Sequence, residues 1–319
     1  MSKEKNSFKS KIGGQALIEG IMMRGIHVAS MACRMPDGSI DVETWPIRNG
    51  KDAPWYAKTP FIRGCYNYIV SLAEGYKCMM KSADKTIPDD EAESESKFEK
   101  WLDKKLDEKK MEKLMPVLTG ITVVFSLVLT ICLLKFLPMW LSSFLGYLGA
   151  GDVIKTISEA VIKILIIVGY MWAISFTKTI KTTFMYHGAE HKSIACYEAG
   201  EELTVENIRR HTRFHPRCGT SFIIITVFIA IVVGMFLPWT NIWVRFGMQL
   251  LLLPVEIAVA YEIIKIAGRY TNIFTKIISA PGIWLQHITT KEPDDKQIEI
   301  AIAALEPCIP KEDKSEDKW

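Results

Sequence analysis

Two histidines four residues apart, His187 and His191, flank Glu190. On a helix such positions share one face, so both imidazoles can reach one metal ion. Glu190 lies beside that face, where a carboxylate can act as general base on a metal-activated water. The spelling His-x-x-Glu-His is that of the inverted zincins. Only its local geometry carries over, because a large soluble peptidase fold does not suit this chain. Further on, His211 and His215 repeat the four-residue spacing, and Cys218 follows. Pro216 keeps His215 out of a helix interior, which puts His215 and Cys218 on a turn. His187, His191, His215 and Cys218 are therefore expected to form a tetrahedral site for a divalent metal, zinc or iron, with His211 in support. Four protein ligands would close a zinc site and make it structural; three would leave a position for water. The competing reading of this loop is a basic surface of Arg209, Arg210, Arg213 and Arg217 that binds anionic lipid headgroups.

Further charged residues sit in apolar surroundings. Glu256 lies near the middle of an apolar run, where a lone carboxylate is by default functional. It either serves the site or faces neighbouring helices, protonated or paired with Lys163. Glu262 lies nearer the end of the same run and is expected to approach His187 as a ligand or an outer partner. Glu19 and Arg24 fall in a segment with four glycines, GGQALIEGIMMRG, starting at position 13. They are expected to pair with each other or with the histidine loop. Glycine at that density signals tight turns or close backbone approach.

These residues need elements to position them. Four apolar runs, 116–134, 153–176, 220–238 and 246–268, are each long enough to cross a bilayer at about 1.5 Å per residue. The loop over 177–219 carries seven Lys and Arg residues, whereas 142–154 carries none and 239–247 one. By the positive-inside rule the loop and both termini face the cytoplasm. Ahead of the spans, 27–34 and 39–45 alternate around Pro36-Asp37-Gly38 and read as a β-hairpin. Positions 61–83 place Ile62, Cys65, Tyr66, Ile69, Leu72, Ala73, Tyr76 and Met80 at helical spacing. That helix either packs on the hairpin or lies at the membrane surface.

The fold expected is thus an α-helical polytopic membrane protein of about four transmembrane helices, with a small N-terminal cytoplasmic α/β subdomain containing a β-hairpin. Its parts are the subdomain (1–83), an acidic linker (84–96), a charged juxtamembrane helix (97–115), the membrane domain (116–268) and an interfacial and cytoplasmic C-terminal segment (269–319). In that last segment 276–290 looks interfacial, with Trp284 as anchor, and a short aspartate-capped helix follows over 294–305.

The bulk numbers agree. Of 319 residues 49% are apolar and 24% charged, which fits apolar runs set in polar flanks. A net charge of +3 implies no sequence-specific nucleic-acid partner. Seven cysteines without paired spacing argue against a disulfide framework and for reduced thiols facing a cytosol. The basic start is not followed by an apolar stretch, so no cleavable signal peptide is read there.

Three motifs together, GGQALIEGIMMRG, YHGAEHKSIACYEAGEELTVENIRRHTRFHPRCGTSF and LQHITTKEPDDKQIEIAIAALE, resemble the YqhQ-like family of bacterial membrane proteins. The resemblance covers nearly the whole chain apart from the acidic linker. It implies an integral membrane protein of the cell membrane with an important His/Cys loop, in a family predicted to contain metal-dependent enzymes.

Two functions follow from this reading. The first is a membrane-embedded metal-dependent enzyme, a hydrolase, with Glu190 activating water. The second is a non-catalytic assembly or scaffold factor, alone or as a homo-oligomer. Its basic surface would dock a membrane-protein biogenesis partner such as the insertion machinery or a ribosome. A transporter built on Glu256 is weaker, because four spans without a visible inverted repeat offer little pathway.

Overall fold

The computed structural model describes residues 8–47, 53–86, 108–270, 272–310 and 317–318. The expected linker from position 87 on, and the charged helix up to 107, lie outside them. The described chain is mostly helical and forms two compact units. One draws on 1–86, 168–233 and 251–319, the other on 87–167 and 234–250.

The first unit is built on a four-stranded antiparallel meander, β1 (Gly13–Leu17), β2 (Gly20–Arg24), β3 (Val28–Arg34) and β4 (Ile40–Pro46), in the order β1-β2-β3-β4. The expected hairpin is β3–β4. Its turn closes with the Gly38 N–H donating to the Met35 carbonyl at 2.9 Å, and Gly38 adopts φ +85°, which glycine permits. The glycine-rich segment forms a second hairpin, β1–β2, whose two-residue turn leaves Glu19 at φ +49°.

Side-chain alternation gives the sheet two buried faces. Leu17, Met22, Met31 and Cys33 pack with Cys78 of α1 (Ile62–Thr86). Ile21, Met23 and Ala32 pack with Tyr186, Ala189 and Ile194 of α5 (Lys178–Glu198) and with Ile300, Ala301, Ala304 and Leu305 of α10 (Asp295–Leu305). The aspartate cap of α10 is realised as a capping box between Asp294 and Gln297. The C-terminal segment therefore supplies a core helix.

Helix α1 does not pack its apolar face on the hairpin, the first of the two placements expected of it. It rests on the sheet through small residues: Cys78 is buried, and Ser82 donates to the Ile18 carbonyl. Ile62, Ile69, Leu72, Tyr76 and Met80 are all exposed. The unit also contains α6 (Val205–Arg209), α7 (Gly219–Gly234), most of α8 (Ile242–Arg269) and α9 (Ile273–Thr289). Helix α9 buries Ser279, Gly282, Leu285 and Gln286 and exposes Ile273, Phe274, Ile277 and Trp284, the split expected of an interfacial segment.

Among the described residues, two helices, Val117–Leu148 and Asp152–Ile174, are long and apolar enough to cross a membrane. The first runs from α2 (Glu108–Ile131) through a π turn, Cys132–Phe136, and α3 (Leu137–Ser143) as far as Leu148; the second is α4 (Asp152–Ile174). Helix α7 is apolar but has 16 residues, and α8 has 28 residues but carries charges.

In the second unit a polar network ties α4 to the start of α8. Arg245, fully buried, donates to Glu159 Oε2 at 3.0 Å and to the Gly234 carbonyl at 3.1 Å, with its guanidinium 3.9 Å from the centre of the Trp239 ring. Gln249 donates to Glu159 Oε1 at 2.8 Å, and Lys163 Nζ lies 3.6 Å from that oxygen.

Candidate metal centre

Helix α5 starts after Thr177 and becomes buried from Tyr186 onward. His187 and His191 fall on one face, their ring centres 4.4 Å apart. Each ring is turned by a backbone carbonyl. His187 Nδ1 donates to the Thr289 carbonyl at 2.9 Å, and His191 Nδ1 donates to the Arg213 carbonyl at 2.6 Å. A carbonyl only accepts, so both Nδ1 atoms carry the proton and both Nε2 atoms point the other way. His187 Nε2 meets Cys218 Sγ at 3.1 Å. His191 Nε2 is buried, faces the Cys218 sulfur and makes no hydrogen bond of normal geometry among the described residues. Cys218 sits just ahead of α7, its carbonyl accepting from the Ser221 and Phe222 N–H groups at 3.0 and 3.3 Å. A ligand atom from each of His187, His191 and Cys218 lies within 4.8 Å of the other two.

The electrostatics match a ligand set. Burial alone would raise the Cys218 thiol, but the two imidazoles overcome it and hold its pKa well below the usual value. Burial pulls His187 down, yet the sulfur, Glu190 and the Thr289 carbonyl raise it to about 9. Burial raises the Glu190 carboxyl, against the pull of His191 and His187.

Glu190 also explains the glycine-rich strand. The Gly14 N–H hydrogen-bonds to its carboxylate. A Cβ on Gly14 would stand 2.7 Å from the Met22 carbonyl oxygen and 3.0 Å from Glu190 Cδ. Only glycine lets β1 come this close.

Other expected site residues lie elsewhere. His215 is beside His191, ring centres 5.4 Å apart, but Arg217 donates to its Nε2 at 3.1 Å and occupies the lone pair a metal would use. Burial, then Arg217, keeps this imidazole neutral. His211 lies toward the other end of α5, where it meets Glu201 at 3.2 Å in a separate group with Cys196. Glu262 does not join the cluster; it accepts from Arg63 Nε at 2.8 Å and from the Phe61 N–H at 3.2 Å. Arg24 pairs with Glu74 instead of Glu19, while Glu19 accepts from the Tyr186 hydroxyl at 3.0 Å. Glu256 is buried on α8. Three of the four loop arginines pair internally, Arg209 with Asp295, Arg213 with Glu292 and Arg217 with Glu198.

The carbonyls of Thr289 and Arg213, which orient the ligands, carry no signature in sequence. Gly188 belongs with them. It faces the Lys291 carbonyl so closely that a Cβ there would overlap the oxygen, and the Lys291 N–H in turn donates to the Phe184 carbonyl at 2.8 Å. Gly188→Ala should push α5 off the 289–291 segment and cost about 1–3 kcal/mol, as overpacking does. A lowered melting temperature together with weakened metal retention is the expected result. An unchanged melting temperature would mean that the segment yields freely.

Comparison with known proteins follows the same lines. A family model described as "Protein of unknown function (DUF1385)" matches residues 59–311. The "Uncharacterized protein YqhQ" of Bacillus subtilis (strain 168) is 33% identical over 307 residues, covering 95% of this chain and 94% of that protein. No solved structure matches.

Proposed function

We propose a function for a chain that belongs to the DUF1385, YqhQ-like family: it is a membrane-embedded, metal-dependent hydrolase. His187, His191 and Cys218 hold a divalent cation, zinc or iron, and Glu190 is the proton carrier. The observation that supports this best is His191 Nε2, a buried nitrogen facing the Cys218 sulfur without a hydrogen bond of normal geometry, on a ring fixed from behind by the Arg213 carbonyl. A buried polar atom left unpaired is costly unless something fills the place. Imidazoles that ligate metals are commonly oriented this way, by an outer carbonyl on the opposite nitrogen. Three ligands rather than four leave a position for water. Once bound, the cation would polarise a substrate oxygen and acidify a water. Glu190, held by the Gly14 N–H, would take that water's proton and return it to the leaving group.

The chain is read as crossing the cell membrane four times, by the helix beginning with α2, by α4, by α7 and by α8, with the 177–219 loop and both termini cytoplasmic. The charges of α8 suit this reading, since Glu256 is buried and Glu262 is neutralised by Arg63, as intramembrane charges usually are.

One observation favours the rival reading, in which the metal only braces a non-catalytic assembly factor. Glu190 is 5% exposed and Cys218 7%, so a substrate reaches them only if the cover moves. Only the enzyme reading requires the metal. Untagged protein purified in detergent should carry about one zinc or iron per chain by elemental mass spectrometry. His187→Ala/His191→Ala and Cys218→Ser should lose it. A well-folded sample without stoichiometric metal would end the metalloenzyme reading.

A further inference from the structure

The large apolar residues of α1 face away from the unit that the helix belongs to. At about 100° per residue, Ile62, Ile69, Leu72, Tyr76 and Met80 fall within about 80° of one another, and all are at least 45% exposed. Gly64, Gly75, Cys78 and Ser82 line the opposite side and are buried. The stripe therefore belongs to a second surface.

Its surroundings name that surface. The first turns of α1 pack across the middle of α8. A Cβ on Gly64 would stand 2.9 Å from Ala258 Cα, Cys65 Sγ donates to the Pro254 carbonyl at 3.2 Å, and Asn67 donates to the Tyr261 hydroxyl at 3.0 Å. Ala258 is eleven residues short of the α8 end at Arg269, about 16 Å along the helix, against a hydrocarbon core of about 30 Å. The chain over 54–73 carries two charges, Lys58 ahead of the helix and Arg63, which Glu262 neutralises. Charges return at Glu74, Lys77, Lys81, Asp84 and Lys85. Both flanks belong to the same sheet: β4 precedes the segment, and Lys85 at the far end of α1 is ion-paired to Asp41 and Glu43 of β4. At the near end the backbone turns sharply at Phe61, with φ +65°, and the Phe61 N–H is held by Glu262. A bulky residue keeps such a conformation only where its surroundings enforce it.

We propose that residues 54–73 form a re-entrant segment that dips into the cytoplasmic leaflet and returns, with the exposed stripe of α1 against lipid acyl chains. The inference rests on reading α8 as a membrane span. The bilayer is the occupant because α1, which carries the stripe, joins α8 partway along its length, where a span is surrounded by hydrocarbon. Irregular backbone at that depth is tolerated when protein satisfies it, and Glu262 does so for Phe61. The α1 helix would then anchor the sheet, and with it Gly14 and Glu190, to the membrane surface.

The test places a photoreactive benzoylphenylalanine at Ile69, Leu72, Leu251, Val128 or Asp37 in the full chain, reconstituted in phosphatidylethanolamine and phosphatidylglycerol vesicles. Val128 on α2 and Leu251 on α8 report the spans, and Asp37 in the β3–β4 turn reports water. Illumination should add the mass of one phospholipid at Ile69, Leu72, Leu251 and Val128, and none at Asp37. Lipid adducts at Leu251 but not at Ile69 or Leu72 would overturn the re-entrant segment and leave α8 a span. Adducts at Val128 but not at Leu251 would remove α8 from the membrane and overturn the proposal with its premise. Protein cross-links from Ile69 to another copy or to an added partner, in place of lipid, would also overturn it.

Discussion

Arg245→Leu is expected to destabilise the purified protein by about 3–5 kcal/mol, the range for removing one partner of a buried ion pair. The guanidinium is fully buried and satisfies Glu159, the Gly234 carbonyl and the Trp239 face at once. Without it, Glu159 remains buried with Gln249 on one oxygen and Lys163 at 3.6 Å. A carboxylate in that position loses far more than one hydrogen bond, because water does not replace the lost partner. The network also joins α4 to α8 within one compact unit, so its loss should loosen that packing. Thermal unfolding in detergent measures the effect, and a double-mutant cycle assigns it. Arg245→Leu/Glu159→Leu should be less destabilised than the sum of the single variants, because each single change already breaks the contact the two share. A single variant within 1 kcal/mol of the parent, or strict additivity in the cycle, would show that the pair is solvated in the folded protein.

What could be read from sequence divides along physical lines. The β3–β4 hairpin was legible because Pro36-Asp37-Gly38 is local chemistry: Gly38 takes the left-handed φ that the turn demands. The cap at Asp294 and the approach of His187 to His191 were legible for the same reason, since each depends on residues within one turn of helix. Of the two placements read for the apolar stripe of α1, the one on the hairpin was not realised, because glycine, cysteine and serine make that contact. The segment of the β1–β2 hairpin was read as tight turns or close backbone approach. That reading proved right for Gly14 against Glu190, although the strands themselves were missed, since glycine has low strand propensity. His215 looked equivalent to His191 until Arg217, two residues on, took its lone pair. Glu262 looked free until Arg63, far away in sequence, claimed it. Pairings between distant segments leave no periodic trace, so residue type and spacing narrowed the candidate cluster without selecting among its histidines.

Glu190 separates catalysis from bracing. Glu190→Gln keeps the shape, and its amide oxygen can still accept from the Gly14 N–H, so the fold and the three ligand atoms should remain. The amide cannot carry a proton between water and a leaving group. The variant should therefore retain about one metal per chain and lose about 10²–10⁴-fold in turnover, the usual contribution of a general acid-base. The readout is hydrolysis of whichever ester, amide or phosphoester the parent turns over when screened in vesicles, with metal content measured on the same samples. Loss of metal in Glu190→Gln would make the residue a ligand or a structural support, and its proton-carrying role would fall. Retained metal with full turnover would move the chemistry to another group. A parent that turns over none of the three classes, while a depletion phenotype is rescued equally by parent and Glu190→Gln, would favour the assembly factor. In that case charge reversal of Arg209, Arg210 and Arg213 should abolish the rescue, since the basic loop rather than the carboxylate would do the work.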